Sequence, residues 1–284
     1  MPLLTAARVR TLLADHGLRP SRALGQHFLA DPNTARRIVR LAGVDDGDRV
    51  LEIGPGLGSL TLALADTGAR VVALELDRHV APVLEATLGE EATRGPVRVV
   101  VGDALEIDFD ALLEPSDGGP GWHSVSNLPY NVAAPVVVRL LESAPQVKHQ
   151  LVMVQREIGE RLAAGPGSRT YGALSVKVAY HARAELVGAV PATVFVPKPR
   201  VESVLVRMVR HPVPAVEVPS AERLFALVRA GFGQRRKMLR RALRPVLGAG
   251  VVDVLGAAGV DPAARAEALS LDEWAAVARA EVAA

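Results

Sequence analysis

A short β-rich run, Arg49-Val50-Leu51-Glu52-Ile53, passes directly into Gly54-Pro55-Gly56-Leu57-Gly58 and then into a helical stretch through Leu60-Thr61-Leu62-Ala63-Leu64. No other feature of this chain restricts its fold as strongly. Strand, glycine turn and helix in that order open a parallel βαβ unit, and the small residues let the backbone approach a ligand at the turn. Alone, the loop specifies only a nucleotide-like ligand. Glu75 ends a second β-rich run, Arg70 to Glu75, about twenty residues further on, where an acidic side chain accepts hydrogen bonds from ribose hydroxyls.

The alternation continues. Val97 to Val101 reads as a third strand leading into Gly102 and Asp103, Ser124 to Asn127 as a strand end, Pro135 to Leu141 as a helix, and Gln150 to Val154 as another strand. Two helical patterns precede the glycine loop, joined by an irregular link from Ser21 to Leu29; Asp31 with Thr34 starts the second of them. Strands alternating with helices imply an α/β fold with a mainly parallel sheet covered on both faces. Ligands of such sheets sit at the carboxyl ends of the strands. Gly54, Glu75 and Asp103 all close their strands, so the three are expected on one rim.

The pattern changes at His211-Pro212-Val213-Pro214, and from Ala221 it is helical to the end. Two domains are expected, a catalytic one over residues 1–210 that includes the N-terminal helices, and a small all-helical one over 215–284.

Asn127-Leu128-Pro129-Tyr130 narrows the chemistry to the exocyclic amine of a flat, electron-poor ring. The lone pair of such an amine is delocalised into the ring, so it is a poor nucleophile. The Asn127 side-chain oxygen and the Leu128 carbonyl can each accept one of its N–H groups and favour a pyramidal nitrogen. Pro129 holds Leu128 extended, and Tyr130 offers a face for stacking, worth roughly 1–3 kcal/mol per base. No general base of matched pKa is needed, because the amine can lose its proton after transfer; positioning and electrostatics carry the catalysis. With the glycine loop, the tetrapeptide points to methylation of the N6 amine of adenine by S-adenosylmethionine (SAM). Asp103 is a candidate acceptor for the adenine amine of that cofactor, and equally a helix N-cap. Phe195, in the rigid loop Phe195-Val196-Pro197-Lys198-Pro199, is either a second wall of the base pocket or a core anchor. His27 reaches the cofactor if the N-terminal segment folds over the rim.

Charge bears on the partner. The formal net charge of the 284 residues is only +2, yet Arg235, Arg236, Lys237, Arg240, Arg241 and Arg244 cluster. On an expected helix, some of them must face outward, toward water or a polyanion. The absence of cysteine rules out disulfides, thiolate metal sites and a cysteine nucleophile, and suits a reducing cytoplasm. Met1 to Thr5 lack the basic start and apolar run of a secretory leader, and no segment approaches the roughly 18 apolar residues of a membrane span. A cytoplasmic monomer with no metal and no membrane partner is expected.

These motifs in order resemble the SAM-dependent rRNA adenine N6-dimethyltransferases, specifically the KsgA type acting on small-subunit rRNA. Leu24-Gly25-Gln26-His27-Phe28-Leu29, the glycine loop, Glu75-Leu76-Asp77, Gly102-Asp103-Ala104 and Asn127 to Asn131 carry the resemblance. So do Gln155-Arg156-Glu157, Tyr171 to Ser175, Phe195 to Pro199 and Gln234 to Lys237, so that it spans about residue 20 to the C-terminus. It implies a Rossmann-like SAM-binding domain and a helical RNA-recognition domain. The cofactor contacts it implies are His27, Leu29, Gly54, Glu75, Asp103 and Asn127. The implied reaction is dimethylation of two adjacent adenines in a hairpin near the 3′ end of small-subunit rRNA, late in ribosome assembly. Glu202 stands where Asp is commoner, and residues 1–19 match nothing. The Erm class, which methylates large-subunit rRNA and confers macrolide resistance, shares the SAM loop and the Asn-x-Pro-Tyr logic and stays open as the alternative. A non-catalytic RNA-binding factor on the same fold is a further one, against which the intact Asn127/Tyr130 pair argues.

Overall fold

The computed structural model describes residues 3–21, 24–90, 93–115, 119 and 121–283. Met1 and Pro2 of the start, and Arg22 and Ala23 of the link, lie outside the described residues. The chain divides into two compact units, Met1–Gly159 with Glu185–Arg210, and Glu160–Ala184 with His211–Ala284.

The strands are β1 (Phe28–Leu29), β2 (Arg49–Ile53), β3 (Arg70–Glu75), β4 (Val97–Val101), β5 (Trp122–Asn127), β6 (Val147–Gln155), β7 (Ala182–Val190), β8 (Phe195–Val196) and β9 (Ser203–Arg210). Among the described residues a seven-stranded sheet runs in the order β4-β3-β2-β5-β6-β9-β7. Its first five strands are parallel, and β9 joins β6 antiparallel. Apart from their first residues, β2 and β3 are buried along their length, which is why they read as continuous apolar runs rather than alternating ones.

Helices α1 (Ala6–Asp15), α2 (Pro32–Ala42), α3 (Ser59–Ala65), α4 (Ala81–Glu90), α5 (Phe109–Leu112) and α6 (Ala133–Ser143) belong to this first unit. The Asp31 carboxylate accepts the Thr34 N–H at 2.6 Å, Pro32 occupies the first turn, and Gly43 closes α2 in the left-handed region. These are the start and stop signals legible in the sequence. Ile38 and Val39 of α2 join Leu57, Leu62 and Leu64 and the strand residues Val50, Val125 and Leu151 in one core.

Helix α7 (Arg156–Leu162) leads into the second unit, which holds α8 (Ala173–His181), α9 (Ala221–Gly233), α10 (Leu239–Ala242), α11 (Arg244–Leu247), α12 (Val251–Ala257) and α13 (Leu271–Ala283). Its core centres on the fully buried Trp274 with Leu224, Phe225, Leu239, Leu243 and Leu255. Gly231 makes that close: a Cβ there would lie 2.5 Å from the Trp274 ring.

Two expectations are corrected here. A cut after residue 210 leaves Glu160–Ala184 with the sheet, but Tyr171, Val176 and Tyr180 of that segment pack into the helical core, and the Tyr171 hydroxyl donates to the Leu269 carbonyl at 2.9 Å. The basic cluster is not one helix. Helix α9 stops at Gly233, residues 234–238 form turns, and α10 begins only at Leu239, whose side chain is fully buried with Ala242 and Leu243. Burial of those three residues sets the chain direction in place of an uninterrupted helical ladder.

Candidate active site

The carboxyl ends of β2, β3 and β5 and the N-terminal segment around β1 enclose a cleft. Gly54 (φ +70°) and Gly56 (φ +58°) turn its floor in the left-handed region, where side chains are strained. Space also forbids one, because a Cβ on Gly54 would meet the Pro129 ring at 3.3 Å and one on Gly56 the Phe28 ring at 2.8 Å. The glycine turn, the Asn-x-Pro-Tyr turn and the N-terminal segment therefore pack on one another.

Glu75 anchors the rim. One carboxylate oxygen accepts the Gly56 N–H at 3.0 Å and the other the Asp77 N–H at 2.9 Å. Each oxygen keeps a further lone pair for a ligand. Burial raises the carboxyl above its ordinary range, those N–H bonds oppose the rise, and the Asp77 charge adds to it. Gln26 donates to Asp77 at 2.9 Å, tying the N-terminal segment to the same rim.

That segment lies over the cleft as a strap. Strand β1 pairs antiparallel with β8, Leu29 opposite Phe195, and the Ser59 hydroxyl donates to the Leu29 carbonyl. A His27 ring nitrogen lies 2.8 Å from the Pro197 carbonyl oxygen, and its ring rests 5.2 Å from that of Tyr130. Asn127 donates its amide N–H to the His27 carbonyl at 3.1 Å, which leaves Oδ1 as an acceptor. Leu128 donates its N–H to Met153 at 3.1 Å. Tyr130 hydrogen-bonds through its hydroxyl to Ser203 at 2.7 Å; burial pushes this phenol up while the Ser203 bond works against the rise, so it stays neutral at physiological pH.

The cleft thus gathers His27, Leu29, Gly54, Glu75, Asn127, Leu128, Pro129 and Tyr130. Two candidates fall outside its lining. Phe195 is 3% exposed and sits in the core with Leu29, so of the two roles open to it the structure gives the anchor. Asp103 follows β4 beside the rim, where the Gly102 N–H bonds the Glu75 carbonyl at 2.9 Å, but its carboxylate accepts the Leu105 N–H at 2.8 Å and closes a turn.

One ionisable residue of the cleft is given no role by the sequence reading. Glu52, on β2 one position before Ile53, is 1% exposed and lines the cleft. Burial raises its carboxyl to about 8, the nearby Thr61 hydroxyl pulls the other way, and Glu75 adds to the rise. Its Oε2 and the Thr61 hydroxyl have no hydrogen-bond partner among the described residues. The only available signal was a carboxylate inside an otherwise apolar buried strand.

The basic residues separate into two groups. Arg236, Lys237, Arg240, Arg241 and Arg244 are exposed, whereas Arg235 is held by Glu267 at 2.6 Å and by the Arg169 carbonyl at 2.8 Å.

The sequence profile of the family described as ribosomal RNA adenine dimethylase matches residues 18–281. The ribosomal RNA small subunit methyltransferase A of Thermobifida fusca is 48% identical over 280 residues, covering 97% of this chain and 95% of that one. A dimethyladenosine transferase from Plasmodium falciparum shares the fold with a TM-score of 0.73 at 23% identity, over 88% of this chain and 96% of that one. The 23S rRNA methyltransferase ErmE superposes with a TM-score of 0.66 at 26% identity, over 89% and 98% of the two chains. With a family profile matched over nearly its whole length and a relative of that identity, this chain belongs to the ribosomal RNA adenine dimethylase family.

Proposed function

We propose that this protein uses SAM to dimethylate the N6 amines of two adjacent adenines in a hairpin near the 3′ end of small-subunit rRNA, in the subunit or its precursor, during ribosome biogenesis in the cytoplasm. The observation that carries this reading is the placement of Asn127. One of its N–H groups is committed to the His27 carbonyl, so Oδ1 is an oriented acceptor in the cleft that Leu128 and Tyr130 also line. An exocyclic amine held by such acceptors presents its lone pair in one direction, and positioning of this kind lowers the barrier without proton chemistry.

The residues present fit the cofactor. SAM carries positive charge, and the cleft offers two buried carboxyls, Glu52 and Glu75; a cation offsets the burial that raises both of them. Glu75 supplies acceptors for ribose hydroxyls, and Gly54 and Leu29 supply backbone walls. Asp103, next along the rim, accepts from the adenine amine. When bound, SAM supplies an electrophilic methyl group. His27 helps hold the strap closed over the cleft, which excludes water.

Identity of 48% to a small-subunit enzyme, against 26% to ErmE, favours small-subunit over large-subunit rRNA. The exposed cationic residues 236–244 of the helical unit grip the phosphates around the target, and the protein works as a monomer. The test is to map N6,N6-dimethyladenine on both rRNAs from a deletion strain complemented with wild-type protein or with Asn127→Ala. The two small-subunit positions should be modified only with wild-type protein. Modification of large-subunit rRNA, or of neither, overturns the assignment.

A further inference from the structure

A second feature lies at the amino ends of the parallel strands, away from the cleft. Strands β2 and β3 both begin with arginine, Arg49 and Arg70, and β4 carries Arg98 as its second residue. Arg49 is in register with Arg70 and with Trp122, and Arg98 is in register with Val72. Partners in a parallel ladder share a face, and so do residues two apart along a strand. The three arginines and Trp122 therefore stand on one face. They line a groove of about 550 Å³, closed on its other side by Asp110 to Pro115.

The inner surface is ordered without using up its charge. Arg49 donates to the Pro115 carbonyl at 3.0 Å and lies 5.6 Å over the Trp122 ring. Arg98 donates to the Leu112 carbonyl at 2.6 Å. These partners are neutral, so they orient the guanidiniums and leave their charge in place. Two carboxylates, Asp110 and Glu114, also line the groove, and Asp110 is engaged by Gln146 at 3.1 Å. Arg70 is exposed and has no side-chain partner among the described residues. A planar guanidinium in a concave groove, flanked by two others fixed on the same face, suits the oxygen pairs of a phosphodiester.

We propose that this groove is a second RNA contact, gripping phosphates of a strand separate from the one whose adenine enters the cleft. The proposal rests on the rRNA substrate argued above. Cleft and groove lie at opposite ends of strands five or six residues long, roughly 15–20 Å apart at about 3.3 Å per residue. The nucleotides immediately flanking a base in the cleft do not span that distance, whereas a folded ribosomal particle offers many backbones there. Double-stranded RNA is bound through its phosphates in this sequence-independent way.

The test titrates unmethylated small-subunit particles with wild-type protein, Arg70→Glu and Arg70→Lys across a salt series, with SAM affinity and thermal unfolding measured alongside. Arg70→Glu should bind particles several-fold more weakly, with a salt slope shallower by roughly 0.7–0.9 for each lost phosphate contact. Its SAM affinity and melting should match wild type, and Arg70→Lys, which keeps the charge but not the planar fork, should bind between wild type and Arg70→Glu. Unchanged particle affinity and slope in Arg70→Glu overturn the proposal. So does a variant that loses binding of inorganic phosphate but keeps that of particles, which makes the groove a small-anion site. Failure of the substrate assignment looks different, since wild-type protein given SAM then leaves the adenines of these particles unmethylated.

Discussion

Asn127 donates its side-chain amide to the main-chain carbonyl of His27, one hundred residues earlier, at 3.1 Å. The bond joins the turn proposed to hold the target amine to the strap over the cleft. On the proposed mechanism, loss of the Asn127 amide removes an acceptor for the substrate and a latch on the strap together. Asn127→Ala is expected to lower kcat by roughly 10²–10³-fold, the range for removing one preorganised polar group, with the fold and RNA binding intact. Asn127→Asp keeps an acceptor and loses the latch, so single-turnover rates of the two variants separate the roles. Near wild-type dimethylation by Asn127→Ala sinks the mechanism.

Tyr130 divides differently. Tyr130→Phe loses only the bond to Ser203, about 0.5–1.5 kcal/mol of stability, and should methylate nearly as well as wild type. Tyr130→Ala removes the stacking face, and turnover should drop sharply. Equal activities in steady-state assays of the two variants would exclude a stacking role.

Glu75→Ala should weaken SAM binding by roughly 1.5–3 kcal/mol through loss of a charged acceptor, with a smaller loss for Glu75→Gln, which retains one oxygen. Calorimetry is the direct measurement, and unchanged affinity in Glu75→Ala refutes the rim assignment.

Glu52 makes stability depend on pH. Burial pushes its carboxyl up to about 8 in the folded protein, against 4.5 for a solvated glutamate side chain. Between those values the folded state binds more protons than the unfolded one, so unfolding free energy falls as pH rises through that window and levels off above it. Glu52→Gln lacks this contribution. Urea midpoints should show the variant gaining on wild type from about pH 5 to pH 8, by on the order of a few kcal/mol. Parallel pH profiles mean that Glu52 is ionised in the fold.

Within the basic cluster, position decides the outcome. Reversing the exposed pair Arg236 and Lys237 should weaken particle binding and flatten its salt dependence by roughly 0.7–0.9 per lost contact, with SAM affinity unchanged. Arg235→Ala should instead lower the melting temperature, because that side chain holds Glu267 and the Arg169 carbonyl. Normal particle binding by the double reversal across a salt series leaves the cluster as a solvated face.

The cleft was largely legible because its parts are short motifs that dictate their own backbone. Gly54 and Gly56 announce left-handed turns, Pro129 fixes the residue before it, and Asp31 starts α2. What stayed hidden depends on contacts between distant residues. Nothing local to Glu52 announces that α3 and Glu75 will bury it. Nothing local to Arg235 foretells Glu267, and the buried side chains of Leu239 and Leu243, rather than the helix-favouring arginines around them, decide where the chain turns. Phe195 is read correctly only once β8 is known to pair with β1.

The interleaving of the two units limits how this protein can be dissected. A cut after residue 210 strips Tyr171, Val176 and Tyr180 of the partners that bury them, and yields a catalytic fragment trailing an unsupported apolar loop, prone to aggregation. Exchange of the second unit between relatives must carry residues 160–184 along with the C-terminal helices, as two grafts rather than one. Inheritance by recombination meets the same constraint, because a single crossover after residue 210 separates Tyr171 from Leu269.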